Sequence, residues 1–407
     1  MAKIGLIGSP AIFFNHVFYK EYRRLLECLS SKNEIFFIGN LGKYKPKYIN
    51  NYKNFNILLR FKGILPKFRN YFYVVKLSNK VSIIQWLRKN IGKIIDIYIA
   101  KETIKYFKIN KVDLIFALPI YPELYLKYII YNTSKPLLLQ FWEDQIVFLD
   151  EYLYSNKLNV NEINKEITEG YKWLRLTCCL ARKIIVPTNI LKERLINLGI
   201  SENKINIIPV CSDPFIPIKT GTVKKVHGFN NSQMLFYLGS LSLYHDINTV
   251  LKAFKELDPN EAFLVIAGGW RKPKVLDDES SNIVYTGRLS EKELKNYLSS
   301  ADLCMAIYKF RQSPGFFPAS VLRFMFAGKA IIATDLPEIR EMFRDTNACL
   351  LIPQLDSKAL MQSIRILLTN KIFCTKLGNK AKKLAESNYT WTHYSKKMQV
   401  IIDKILG

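Results

Sequence analysis

No uncharged apolar run in the sequence approaches the ~18 residues that a membrane-crossing helix needs, so a spanning protein is not expected. C-x-x-C is also absent. The seven cysteines (Cys28, Cys178, Cys179, Cys211, Cys304, Cys349 and Cys374) are scattered and odd in number. That argues against a disulfide framework and for a reducing compartment. Low-complexity tracts are missing, and nearly half of the 407 residues are apolar, enough for two globular domains. Met1-Ala2-Lys3 runs straight into Ile4-Gly5-Leu6-Ile7-Gly8, which reads as a first core strand and not as a secretory leader. The expected location is cytoplasmic, at most attached to the inner face of a membrane.

Acidic residues are scarce: 34 Asp+Glu face 60 Lys+Arg, a net charge of +26. A composition rich in Lys, Asn, Ile and Tyr accounts for part of this, but the charge is uneven. Residues 41–111 hold 17 Lys+Arg against Asp96 and Glu102, a net of +15. An anionic surface is the natural partner of such a segment, either lipid headgroups or nucleic acid. No nucleic-acid-binding module is recognisable, so nucleic acid is not expected. Tyr71, Phe72, Tyr73, Trp86 and Tyr98 interleave with the lysines. Ile84, Leu87, Ile91, Ile94, Ile95 and Tyr98 fall on one helical face with Arg88, Lys89 and Lys93 off it. That is the pattern of a basic amphipathic helix, and equally of a helix that covers a sheet.

The chain alternates short apolar runs with helical periodicity, the sign of an α/β fold. Ile4–Gly8, followed by Gly8-Ser9-Pro10 and a helix to about Ser30, reads as the opening of a doubly wound domain. The runs at 112–118 and 136–142 read as further strands. Residues 214–230, with Pro214, Pro217 and Gly221, read as a linker. Met234–Gly239, Phe263–Gly269, Ile283–Arg288 and Ala301–Tyr308 continue the strand series. The organising stretch is Ser313–Phe343. Pro318 opens a helix there, and Ala319, Leu322, Met325 and Phe326 give it an apolar face. Gly328 closes the helix, and Ala330–Thr334 reads as a strand buried on both sides. A glycine-containing loop that feeds a helix start offers backbone N–H groups to an anion.

This stretch resembles a known family. Phe326-Ala327-Gly328-Lys329, Ala333-Thr334-Asp335-Leu336-Pro337-Glu338-Ile339 and Glu341 are similar to the "EAMAAGKPVIATDLPEI…E" run of glycosyltransferase family 4, the group 1 glycosyl transferases. Lys183–Thr188 and Lys204–Asp213 match further strands of that family. The resemblance implies a GT-B fold: two Rossmann-like doubly wound α/β domains facing a cleft. They would be an acceptor domain at 1–213, a nucleotide-sugar domain at 214–387, and a final helix at 388–407 crossing back to the first domain. It also implies sugar transfer from a nucleotide-sugar donor with retention, and with neither cofactor nor metal. No D-x-D triplet occurs, in keeping with that.

Carried over position by position, the donor site would comprise Gly8, Gly239, Ser240, His245, Gly268, Gly287, Arg288, Gly315, Phe316, Phe317, Ser320 and Arg323. The family's two glutamates fall on Gly315 and Arg323. Arginine has no acceptor for a ribose diol but can hold phosphate. It is either an anion contact or a helix residue paired with Glu338 or Glu341. Lys309 and Arg311 are candidates for added positive charge. Glu143 and Asp144, at a strand end, are candidate acceptor-side bases, or else a helix cap and a loop ion pair. His16, after the first turn, is a catalytic candidate or a structural histidine. The expected acceptor is a glycan or lipid-linked saccharide, with the basic segment 41–111 on an anionic membrane surface. The alternatives are a non-catalytic homologue that acts as a binding or scaffold subunit, or a nucleotide-sugar epimerase on the same frame.

Overall fold

The computed structural model describes residues 1–8, 19–39, 51–54, 92–118, 124–142, 160–218, 222–239, 241, 245–258, 260–269, 281–309, 317–344 and 346–407. The chain forms two compact units. The first comprises Met1–Pro187, Leu191–Ile208 and Ser395–Gly407, the second Thr188–Ile190 and Pro209–Tyr394.

The first unit is built on strands β1 (Lys3–Gly8), β2 (Glu34–Gly39), β3 (Asn51–Asn54), β4 (Leu114–Leu118), β5 (Leu137–Gln140), β6 (Lys183–Val186) and β7 (Ile205–Ile207). They form one sheet in the order β3-β2-β1-β4-β5-β6-β7, with every pairing parallel. Its helices are α1 (Tyr19–Ser30), α2 (Gly92–Ile109), α3 (Leu124–Thr133), α4 (Val160–Leu180) and α5 (Asn189–Asn197). β4 and β5 are buried along their whole length. Continuous apolar runs of this kind fit a parallel sheet covered on both faces. Of the helix expected across 84–98, residues 92–98 are helical within α2, and the remainder lies outside the described residues. The second half of α2 covers the sheet, with Ala100, Thr103, Tyr106 and Phe107 buried. The ring of Phe107 lies so close over β1 that a Cβ on Gly5 would sit 2.7 Å from its Cζ.

The second unit carries α6 (Thr222–Val226), β8 (Gln233–Leu238), α7 (Ile247–Lys255), β9 (Ala262–Ala267), β10 (Ile283–Gly287), α8 (Glu291–Ser300), β11 (Leu303–Ala306) and α9 (Ala319–Phe326). β12 (Ala330–Thr334), α10 (Pro337–Phe343), β13 (Leu350–Ile352), α11 (Ser357–Thr369), α12 (Lys371–Asn388) and α13 (Trp391–Leu406) complete the chain. The sheet order is β10-β9-β8-β11-β12-β13, again wholly parallel. It reverses between β8 and β11, the point at which open α/β sheets take ligands.

Residues 214–230 are not a plain linker. α6 lies within them, Val223 joins the core of the second unit, and Lys224 pairs with Asp302 at 2.7 Å. Five residues with one buried valine are too short to leave a helical period, which is why the prolines dominated the pattern. The two ends of the unit meet, since Ser212 bridges to Thr390 and its N–H donates to Tyr389 O at 2.9 Å. Beyond Tyr394, α13 belongs to the first unit, where Asn33 Nδ2 donates to Gln399 Oε1 at 3.0 Å.

α9 owes its position to a backbone contact. Gly328, at φ +66, closes the helix, and its carbonyl oxygen would lie 2.2 Å from a Cβ on Gly378 of α12. A phenyl ring can turn aside; a carbonyl fixed by its own helix end cannot. Gly378→Ala should therefore destabilise by at least ~2 kcal/mol, despite the ~1 kcal/mol that alanine adds to helix propensity. Gly5→Ala should cost about half as much, and Phe107→Leu in the same chain should recover part of it. Urea unfolding of the three variants checks the order, and a neutral Gly378→Ala would contradict the contact.

Candidate functional site

The carboxyl edge of the second sheet is lined by strand ends that carry glycine. Gly239 follows β8, and its N–H donates to Ala267 O at 3.1 Å. Gly268 and Gly269 follow β9 at φ +115 and +71, a region that side chains other than glycine's rarely adopt. A Cβ on Gly268 would meet the carbonyl oxygen of Gly239 at 1.8 Å. Gly268 N–H donates to Gly287 O at 2.7 Å, and Tyr285 Oη donates to Gly268 O at 3.0 Å. Burial raises the pKa of the Tyr285 hydroxyl, so it stays a neutral donor. Three neighbouring strand ends thus close on one another mainly through backbone, with the Tyr285 hydroxyl bonded to the same seam.

His245 occupies the reversal point between β8 and β11. It forms an antiparallel bridge with Tyr308, and the two rings lie 5.4 Å apart. Its ring fills the space beside Gly239, where a Cβ would come within 2.3 Å of Cδ2 and 2.6 Å of Nε2. The next residue pins it. Asp246 N–H donates to Ile307 O at 3.1 Å. The buried Asp246 carboxylate caps α7, accepting from Thr249 N–H at 3.2 Å and from Thr249 Oγ1 at 2.6 Å. Tyr237 lies edge-on beneath His245, with ring centroids 6.5 Å apart. Burial first, then the nearby Tyr308 and Asp246, hold its hydroxyl well above the usual range, so it too remains a donor, to Ile307 O at 3.4 Å.

Tyr308 links this strand end to α9. Its hydroxyl lies 2.9 Å from Ser320 Oγ in the first turn of that helix, and its N–H donates to Thr334 Oγ1 at 2.8 Å. Phe317 stands just before the helix, its ring 6.5 Å from that of Tyr389. Not all of the helix-start amides are open to an anion. Ala319 N–H is taken by Phe317 O at 2.9 Å and Val321 N–H by Pro318 O at 3.0 Å.

The sequence-derived residues therefore divide. Gly239, His245, Gly268 and Gly287 are brought together at one sheet edge, with Ser320 joined to it through Tyr308. Arg288 follows Gly287 at the end of β10, and Lys309 follows Tyr308. Gly8 ends β1 in the first unit, paired with Leu118. His16, Glu143, Asp144, Ser240, Arg311, Gly315 and Phe316 lie outside the described residues. Arg323 pairs with neither Glu338 nor Glu341 as the helix reading expected. Its Nη1 donates to Glu291 Oε1 at 2.9 Å, which ties α9 to the first residue of α8. Sequence spacing could not reveal a partner brought in by the sheet. Tyr308 closes an apolar run, so in the sequence it reads as part of the strand. The available signal was a polar-tipped aromatic at the carboxyl end of a buried strand.

Residues 220–384, most of the unit that holds this edge, match the family model described as glycosyl transferases group 1. The second unit thus carries the sequence pattern of that family along most of its length. Over the whole chain the fold is that of the GT-B glycosyltransferases. A glycosyltransferase from Rickettsia africae superposes with a TM-score of 0.66 at 14% identity, covering 100% of this chain and 98% of that one. The Anabaena HepE protein, solved in complex with UDP-glucose, gives 0.65 at 11% identity over 99% of this chain and 100% of its own. Sucrose-phosphate synthase from Thermosynechococcus elongatus gives 0.64 at 13% identity over 100% and 99%. No curated protein matches the sequence.

The packing of His245 on Gly239 gives a clean double-mutant test. Gly239→Ala should destabilise the second unit by ~1–3 kcal/mol, because the new methyl and the imidazole cannot share the space. All the atoms nearest to that methyl are on His245, so Gly239→Ala/His245→Ala should recover most of the loss. Strict additivity in thermal melts would show that the ring does not sit there.

Proposed function

We propose that this chain transfers a sugar from a nucleotide-sugar donor to a glycan or lipid-linked saccharide, with retention at the anomeric carbon and without a metal. The observation that carries the reading is the group 1 glycosyl transferase match on the unit whose switch-point edge gathers Gly239, His245, Tyr308 and Ser320. The UDP-glucose held by the Anabaena neighbour supports a nucleotide-sugar as donor.

In this reading the donor diphosphate approaches the glycine strand ends, which carry no side chain of their own. The His245 imidazole and the Ser320 hydroxyl supply hydrogen-bond donors of fixed position, which suits charge that grows on the leaving diphosphate. Neutral imidazole adds no net charge, so Arg288 and Lys309, beside the same strand ends, are assigned to balance the phosphates. Glu143, Asp144 and His16 are assigned to the acceptor side, and segment 41–111 to an anionic membrane surface. A second reading, a binding subunit without turnover, draws on Arg323. It stands where the resembled family has a carboxylate, and it engages Glu291.

Differential scanning fluorimetry with UDP, GDP and their sugars separates the two. A donor held at 100 times its Kd should stabilise the protein by about 2.7 kcal/mol and raise Tm by several degrees. His245→Ala should weaken that nucleotide at least about tenfold. If no nucleotide or nucleotide-sugar shifts Tm and none is consumed over hours with chelator present, the transferase reading is wrong.

A further inference from the structure

Helix α12 presents a lysine face that nothing in the proposed reaction uses. Leu377, Gly378, Ala381 and Ala385 turn inward, and Gly378 seats the helix on Gly328. Lys376, Lys380 and Lys383 stand exposed on the other side, and Lys371 is exposed at the helix start. From Lys371 to Lys383 they run ~18 Å along the axis at 1.5 Å per residue. None of the four pairs with a carboxylate among the described residues. The single acid of the helix, Glu386, faces Lys382 at 4.0 Å. Lys376, Lys380 and Lys383 are neighbours at i+4 and i+3, so their like charges repel and oppose the helix unless an anion screens them. Beside them Ile372 is 84% exposed, an apolar side chain with no core to enter.

We propose that this face of α12 docks on an anionic lipid bilayer, with the lysines on the headgroups and Ile372 in the interfacial layer. The chemistry favours a bilayer over nucleic acid. The exposed face carries no aromatic ring on which a base could stack, whereas a basic helix face with an apolar neighbour fits a flat, negatively charged interface. The helix is seated by the Gly328–Gly378 contact, so docking requires no ordering of its backbone. The inference does not depend on the donor chemistry proposed above, nor on the basic segment 41–111.

Flotation of the full-length protein with vesicles tests it. Phosphatidylglycerol–phosphatidylcholine vesicles should carry the protein at low salt and release it at 0.5 M salt on the order of a Debye length of 4 Å. Pure phosphatidylcholine vesicles should not carry it. Replacing Lys371, Lys376, Lys380 and Lys383 with Gln should lower binding on the order of several hundredfold, since each cation near the surface contributes about fivefold. Ile372→Asp should lower it several-fold without shifting Tm. The matched variant with Lys43, Lys45, Lys47 and Lys53 changed to Gln should keep the part of the binding that α12 supplies. The idea is overturned if the wild type ignores anionic vesicles, if both α12 variants bind as well as wild type, or if the α12 substitutions remove binding to a DNA duplex and not to vesicles.

Discussion

Where Gly268 turns at the end of β9, the carbonyl of Gly239 already occupies the place of a side chain. Much at the edge of the second sheet follows from that contact. It draws the ends of β8 and β9 together. The hydrogen bond from Gly268 to Gly287 brings in β10, and Tyr285 closes the gap from the side. Because backbone fills the seam, the side chains of this edge gather at the reversal. His245 and Tyr308 come from there, and Ser320 is reached through the Tyr308 hydroxyl. Among the described residues this edge has a backbone floor, with His245 and Tyr308 held by the neighbouring Asp246 and Thr334.

The pairing of Arg323 with Glu291 acts on the same edge from further out. Both side chains are partly exposed, so the pair adds at most about 1 kcal/mol to stability. Its effect is positional. It binds the first residue of α8, itself set by the Ser290–Glu293 capping box, to the last turn of α9. A carboxylate thereby stands next to a guanidinium in the second unit, the reverse of a lone acidic residue on the helix.

Much of the fold was legible in the sequence because its parallel strands are short, apolar and bounded by glycine. Ala330–Thr334 read as a doubly buried strand and is one, and Gly328 read as a left-handed helix end and has φ +66. What could not be read was set by contacts between distant residues. Arg323 finds Glu291 only because the sheet places α8 beside α9. The imidazole of His245 packs against Gly239 because Asp246 is anchored to Ile307, a pairing that no local pattern encodes. The short helix Thr222–Val226 was hidden among prolines.

The bridge between Ser212 and Thr390 has a consequence for how such a protein could arise. The polypeptide enters the second unit near residue 209 and leaves it near 394, with entry and exit side by side. A module whose ends already touch asks little of the loop that hosts it, since joining adjacent points costs little chain entropy. Nearly the whole second unit could thus be exchanged as one cassette between related chains, or its order circularly permuted, with the host sheet left intact.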